Sequence, residues 1–295
     1  MKKLSITAAI AMAIVGGMLV TACQKTETTP QVQGQTTNNN PDPNNNGNNN
    51  GNNGGNNNPD QNAKLTYTKK TAPLFFDFTS TGCPGCGSWG KPTFKSLIST
   101  HGTDITPLAV HIKYGDPMIT AESNAIGANR YGQFYTPQLW VGDNNGMVVT
   151  SGINSSASIA RMNDLIATDK AKTQPSLAAV ITKDGNTLKV TYGVKFIDIM
   201  PSGEYGLSAY LTEDGIEASQ TSSASNPTIH SNVIRASAAG TWGQSFAAAD
   251  LTDMEKSWTH SFDISAYNKD NVYVTVVLWK KDGSRYQALN GFVAK

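Results

Sequence analysis

The sequence has few charges, few cysteines and few long apolar runs. Only 15% of the 295 residues are charged and the net charge is +1, with no basic patch interleaved with aromatics, so nucleic acid is not an expected partner. The chain contains a single Cys-x-x-Cys, and His101 and His111 lack a tight ligand spacing, which argues against a zinc site. No cofactor is predicted. The apolar run at residues 6–20 is short and has no stop-transfer flank, which disfavours a transmembrane helix.

The N-terminus has the features of an export signal. Lys2 and Lys3 precede the apolar run, and small residues lead up to Cys23. This order resembles a bacterial lipoprotein signal peptide, with residues 1–22 removed and Cys23 lipidated. The alternative is an ordinary secretory signal with a chance cysteine. Gln24 stands where an inner-membrane retention signal would place Asp, so the resemblance implies an outer-membrane lipid anchor, on either the periplasmic or the cell-surface side.

A polar segment separates the signal from the rest of the chain. Residues 23–63 are mostly Asn, Gly, Thr, Gln and Pro. This composition cannot bury enough apolar surface to offset the entropy of ordering, so it predicts a disordered tether. The remaining chain is long enough for two ordinary domains. A change of pattern after residue 172 predicts one domain at residues 64–172 and another at residues 175–295.

The first predicted domain is centred on an apolar strand followed by the two nearby cysteines. Residues 74–78 form an apolar run typical of a short buried strand. Cys83-Pro-Gly-Cys86 follows where a helix is expected to begin, and Asp77 stands six positions before Cys83. This arrangement resembles the active-site strand and helix of the thioredoxin superfamily. From this strand onward the segments follow the order β-α-β-α-β-β-α, which is the thioredoxin order, so we expect an α/β thioredoxin-like domain.

The cysteine pattern indicates thiol–disulfide exchange. A helix N-terminus lowers the pKa of a thiol, so Cys83 is expected to be the exposed nucleophile and Cys86 the resolving thiol. Asp77, if buried below the pair, takes the proton of Cys86. The superfamily resemblance implies that Pro137 is a cis proline opposite the cysteines, with the backbone of Thr136 docking the substrate. Two alternatives stay open, namely a structural disulfide and an Asp77 carboxylate satisfied by backbone donors.

The second predicted domain is an antiparallel β-sandwich. Residues 175–295 contain short alternating segments separated by turn signals, which favours an immunoglobulin-like arrangement. Gln220 and the segment from His230 to Arg235 resemble a motif of the 28-kilodalton-class outer-membrane lipoproteins of Gram-negative bacteria. In that family a thioredoxin-like domain precedes a β-sandwich. The motif residues suggest no mechanism, and edge packing and ion pairing are the simpler roles for His230 and Arg235.

Two functions follow from these patterns. The first is an outer-membrane-anchored thiol–disulfide oxidoreductase that acts on thiols or disulfides of exported proteins. The second is a non-enzymatic surface lipoprotein that binds a protein or glycan and carries a structural disulfide. If Cys23 is lipidated, Cys83 and Cys86 are the only thiols left and can pair only with each other. A disulfide that closes so short a loop stabilises a fold little, which favours the first function.

Overall fold

A computed structural model describes most of the chain after residue 63. The described residues are 64–113, 115–130, 132, 135–149, 152–198, 201–248 and 254–295, and all fall within one compact unit. The predicted signal peptide, Cys23 and the predicted tether lie outside the described residues. Within the part that is described, no helix is long and apolar enough to cross a membrane.

Strands and helices alternate in the first part of the chain. The strands are β1 (Leu74–Thr79), β2 (Thr106–His111), β3 (Gln138–Val141) and β4 (Asn144–Asn145). The helices are α1 (Lys91–His101), α2 (Ala121–Ala128) and α3 (Ser155–Lys170). A π-helical turn at Cys86–Gly90 leads into α1, and a 3-10 turn at Gly102–Asp104 follows it. The order of elements is the one that the sequence predicts.

Local chemistry explains where the helices begin. Pro92 lies at the start of α1, directly after the π-helical turn, and its missing N–H group removes one hydrogen bond from the helical segment at this junction. Thr120 and Ser123 exchange side-chain and backbone hydrogen bonds in a capping box at the start of α2. Asn154 caps α3 by accepting a hydrogen bond from the backbone of Ala157 at 3.0 Å.

The second part of the chain consists of strands. They are β5 (Ser176–Asp184), β6 (Thr187–Lys195), β7 (Gly203–Glu213), β8 (Ile216–Ala218), β9 (Thr228–His230), β10 (Val233–Ala238), β11 (Gln244–Ala248), β12 (Glu255–Asp263), β13 (Val272–Asp282) and β14 (Arg285–Ala294). Strands β12, β6 and β5 form a three-stranded antiparallel sheet. Its apolar face, including Val190 and Tyr192, packs with Leu207 and Val274 of β7 and β13 in a sandwich-like core.

One sheet of nine strands runs through both parts. Its order is β14-β13-β7-β10-β2-β1-β3-β4, and β11 also pairs with β7. Strand β1 is parallel to β2 and antiparallel to β3. Strand β10 joins β2 through the pairing of Val233 with Ala109. The described chain is therefore mostly β-sheet with few helices, while the predicted domain boundary between residues 172 and 175 stays a prediction.

Alternate residues of β1 pack into different cores. Phe75 packs against Phe94 of α1, with ring centroids 4.9 Å apart, in a cluster that also includes residues of α3. Phe76 and Phe78 belong to the cluster on the other side of the sheet, together with Trp279. Because side chains alternate along a strand, Asp77 projects on the same side as Phe75, toward α1. The acid is thus on the side of the sheet where the helix following the cysteines packs.

Candidate active site around the Cys83–Cys86 disulfide

The two cysteines form a disulfide at the start of the helical segment. Their Cα atoms are 5.2 Å apart. The backbone N–H of Cys86 donates a hydrogen bond to the Sγ atom of Cys83 at 3.1 Å. Free N–H groups at a helix start are the groups that stabilise a thiolate, so this contact favours the ionised form of Cys83 after reduction.

The expectation that Cys83 is exposed is wrong. Cys83 is 3% exposed and Cys86 is fully buried. The exposed residues of the motif are its neighbours Gly82, Pro84 and Ser88. The reason is tertiary, because the loop between β8 and β9 lies against the motif. We call residues 216–230, which contain these two strands and their loop, the β8–β9 hairpin.

Gln220 hydrogen-bonds the β8–β9 hairpin to the segment between β1 and the helix. Its side chain is buried, and its Nε2 atom donates to the carbonyl oxygens of Ser80, Thr81 and Cys83 at 3.1, 3.2 and 3.2 Å. The backbone N–H of Thr221 also donates to the carbonyl of Thr81 at 2.9 Å. A residue from the second part of the chain therefore holds the backbone next to Cys83.

Gly87 allows this close approach. A Cβ atom at Gly87 would lie 2.1 Å from the carbonyl oxygen of Thr221, which is far inside van der Waals contact. Only glycine fits at this position without displacing the hairpin.

Pro137 lies against the cysteine motif, as the superfamily resemblance implies. The Thr136–Pro137 peptide bond is cis and leads into β3. A Cβ atom at Gly85 would lie 3.0 Å from the Cδ atom of Pro137, and one at Gly90 would lie 2.6 Å from its Cβ atom. Thr136 is half-buried, and its hydroxyl oxygen has no hydrogen-bond partner among the described residues.

Asp77 is a buried acid with a perturbed pKa. Its side chain is 3% exposed, and burial raises the pKa of its carboxyl to about 7, an effect that the nearby charge of Lys91 opposes. Burial also lowers the pKa of Lys91 to about 8. The Oδ1 atom of Asp77 has no hydrogen-bond partner within the described part, so backbone donors do not hold this oxygen. Asp77 is therefore able to give or take a proton near neutral pH.

A small cavity beside Asp77 is lined in part by His230, for which the sequence suggested only edge packing or ion pairing. It measures about 20 Å³, and its lining includes Asp77, Lys91, His111 and His230. The His111 Nδ1 and Asp116 Oδ2 atoms are 2.7 Å apart, and the rings of His111 and His230 have centroids 5.3 Å apart. In the sequence, the motif that contains Gln220 and His230 was the one indication that these residues matter. Only the fold shows that both lie near the disulfide.

The remaining motif residue has a structural role. Arg235 lies 3.2 Å from the Glu213 carboxylate through its Nε atom, and its guanidinium lies over the ring of Tyr267. Among the described residues, no three His, Cys, Asp or Glu side chains are grouped so that they could hold a metal ion. The site as described thus combines a disulfide, a buried acid and a proline-led strand.

Comparisons with known proteins find similar structures but do not assign the chain to a family. No protein-family model matches the chain, and no curated protein matches it. The chain is similar in structure to HBP35 of Porphyromonas gingivalis, with a TM-score of 0.59 and 15% identity over 77% of this chain and 76% of that chain. At this identity the likeness shows a shared fold alone.

Two further solved structures are more distant. Protein AGR_C_4864 from Agrobacterium tumefaciens has a TM-score of 0.46 and 13% identity over 77% of this chain and 95% of its own. A domain of the outer membrane lipoprotein Omp28 from Porphyromonas gingivalis has a TM-score of 0.28 and 17% identity over 41% of this chain and 86% of its own. Neither likeness is close enough to bear on the site.

Proposed function

We propose that this protein is a thiol–disulfide oxidoreductase of the bacterial envelope, with residues 64–172 as a thioredoxin-like domain. The observation that carries the proposal is the packing of Pro137 against Gly85 and Gly90, next to the Cys83–Cys86 disulfide. The order of elements, the parallel pairing of β1 with β2 and the buried Asp77 on β1 support it.

In the oxidising direction the reaction has two displacements. A substrate thiolate attacks the Sγ atom of Cys83, the bond to Cys86 breaks, and the Cys86 thiolate takes a proton from Asp77. A second substrate thiolate then attacks the substrate sulfur of the mixed disulfide and releases Cys83 as a thiolate. Two electrons pass from the substrate dithiol to the cysteine pair. The reverse sequence reduces a substrate disulfide, and Asp77 then accepts the proton of Cys86.

The substrate approaches over the exposed edge of the motif. Gly82, Pro84 and Ser88 are exposed, whereas the sulfur-bearing residues are covered. The backbone of Thr136, next to Pro137, is the proposed dock for an extended substrate segment.

The location of the protein is proposed from its N-terminal sequence. The signal at residues 1–22 and lipidation at Cys23 would anchor the chain in the outer membrane, with residues 23–63 as a tether. Exported proteins with thiols or disulfides are then the accessible substrates. We propose an immunoglobulin-like sandwich for residues 175–295, supported by the three-stranded sheet packed on the large sheet.

One observation favours a second candidate function. Both cysteines are buried, and Gln220 holds the adjacent backbone. A fixed structural disulfide in a non-enzymatic surface lipoprotein that binds a protein or glycan would have these properties.

The reduction potential and turnover of the cysteine pair distinguish the two functions. We expect a potential above about −300 mV, since structural disulfides of secreted proteins fall below that value. We also expect insulin reduction or refolding of scrambled ribonuclease to be lost in Cys83→Ser, and a mixed disulfide at Cys83 to accumulate in Cys86→Ser. Ser99→Ala, at an exposed residue of α1 away from the proposed substrate edge, is the control. A lower potential together with absent turnover would reject the oxidoreductase.

A further inference from the structure

The cavity beside Asp77 combines two buried polar atoms that lack partners. Asp77 and His230 are each 3% exposed. The Oδ1 atom of Asp77 and the Nε2 atom of His230 make no hydrogen bond within the described part of the chain. Both residues line the same cavity, which measures about 20 Å³. Leaving a buried polar group unsatisfied costs about 1–3 kcal/mol, so two such atoms at one small cavity call for a common partner.

His230 is a neutral imidazole at physiological pH. Burial, together with the charge of Lys91, lowers the pKa of His230 to about 3. In a neutral imidazole one ring nitrogen donates and the other accepts, so Nε2 can make one hydrogen bond in either tautomer.

The cavity has the size and the polar lining that a single water requires. A buried water needs roughly 10–15 Å³ of such volume and two to four polar partners. A water molecule can donate one hydrogen bond to Asp77 Oδ1 and make a second one with His230 Nε2, as donor or acceptor according to the tautomer of the imidazole. The ammonium group of Lys91, which also lines the cavity, can donate to its oxygen.

We propose that this cavity binds one water molecule between Asp77, Lys91 and His230, and that His230 is a positioning residue for the proton that Asp77 exchanges with Cys86. The part concerning Cys86 rests on the proposed oxidoreductase function, whereas the water site does not. The β8–β9 hairpin, which belongs to the second part of the chain, thereby completes the proton-handling side of the disulfide site.

Several other titratable groups lie around the cavity. Lys91 and Lys95 come from α1, and His111 comes from β2. Asp116 follows β2 and is hydrogen-bonded to His111. The charge of Lys91 favours the carboxylate form of Asp77 and opposes the effect of burial. A change of pKa on altering His230 must therefore be measured with these four groups unchanged.

The test is the pKa of Asp77 in the full chain carrying His230→Phe, followed by NMR of carboxyl-labelled aspartate and assigned with Asp77→Asn. Phenylalanine keeps the ring but removes both nitrogens, so the carboxylate loses its water. We expect the Asp77 pKa to rise by about one unit or more because desolvation disfavours the charged form. The pH midpoint of the exchange rate should rise in parallel. The amide of glutamine can lie near the position of Nε2. His230→Gln should therefore keep the Asp77 pKa close to its wild-type value.

The controls separate this proposal from the proposed function. His260→Phe, at a partly buried histidine on β12, should leave the Asp77 pKa unchanged. An unchanged Asp77 pKa in folded His230→Phe would overturn the proposal. If that variant does not fold, a high-resolution crystal structure of the wild type decides, because a dry cavity between Asp77 and His230 would also overturn it. If the Asp77 pKa shifts in His230→Phe but the wild-type chain shows no thiol–disulfide exchange, the oxidoreductase function is rejected and the water site is retained.

Discussion

Asp77→Asn should stabilise the folded chain, and by an amount that depends on pH. Burial raises the pKa of the Asp77 carboxyl from 3.8 to about 7. One pKa unit corresponds to about 1.4 kcal/mol, so the carboxylate costs the folded state on the order of 4 kcal/mol once both states are ionised. Asparagine removes this charge while keeping nearly the same shape. The buried acid is thus kept at the expense of stability, as expected for a functional group.

The sign of the pH dependence follows from the two pKa values. Below pH 3.8 the acid is protonated in both states, and the pH-dependent cost is absent. Between that value and about 7 the unfolded state ionises while the folded state stays protonated, so wild-type stability falls as pH rises. The advantage of Asp77→Asn should therefore grow by about 3 kcal/mol between about pH 4.5 and about pH 7.5.

Urea unfolding of both chains with the disulfide intact measures this difference. A poorly hydrogen-bonded asparagine would add an offset that does not vary with pH, so the slope of the difference isolates the carboxylate. A difference that stays constant between acid and neutral pH would refute the reasoning, because it would mean that Asp77 is ionised at its ordinary pKa in the folded chain.

Asp116→Asn is the matched control with the opposite sign. Burial alone would raise the pKa of Asp116, but hydrogen bonds from His111 and from the backbone N–H groups of Met118 and Thr81 outweigh burial and lower the pKa. Its carboxylate therefore stabilises the folded state above the unfolded pKa, and this stability is lost as pH falls through the folded pKa. Asp116→Asn should destabilise the chain at neutral pH, and less so in acid.

Three further predictions concern the covering of the site and the joining of the two parts of the chain. Gly87→Ala should displace the β8–β9 hairpin, because the new Cβ atom would lie 2.1 Å from the carbonyl oxygen of Thr221, and should make reduction of the disulfide by dithiothreitol faster. Gln220→Ala should cost about 1–3 kcal/mol in urea unfolding, because the buried hydrogen bonds from its amide to the carbonyls of Ser80, Thr81 and Cys83 are lost, although each carbonyl keeps one backbone donor. Asn290→Ala should cost a similar amount or more, about 3 kcal/mol, because the fully buried Asn290 side chain bonds to the backbone of residues 70, 72 and 175.

Gly152→Ala is the control for Gly87→Ala, and a different result would contradict each prediction. Gly152→Ala should be nearly neutral, because a Cβ atom there would meet nothing within 4 Å. An unchanged reduction rate in Gly87→Ala would show that the hairpin does not limit access to the disulfide. A loss below about 0.5 kcal/mol in Gln220→Ala or Asn290→Ala would be typical of a surface site and would contradict the buried contacts described above.

Local patterns predicted most of the regular elements. The apolar run at residues 74–78 became β1 (Leu74–Thr79), one residue longer. The alternating segments of the second part became strands, such as β6 (Thr187–Lys195) and β13 (Val272–Asp282). Side-chain alternation and turn residues are encoded by near neighbours in sequence, so they are visible before any tertiary contact is known.

The short strands and the burial of the cysteines could not be predicted in this way. Strands β8 and β9 have three residues each, too few to show alternation. Cys83 was expected to be the exposed nucleophile at a helix N-terminus, but it is buried beneath the β8–β9 hairpin. The hairpin lies more than a hundred residues further along the chain, and the hydrogen bond from Gln220 to Cys83 spans 137 positions.

The sequence by itself determined that a cysteine pair starts a helix and that Asp77 stands on the strand before it, since both depend on spacing within a few residues. Only the tertiary structure decided what surrounds the pair. Sheet pairing brings β10 beside β2, and this pairing carries Gln220 and His230 to the disulfide and to Asp77. Contacts of this kind depend on which strands become neighbours, and periodicity along the chain does not encode that choice.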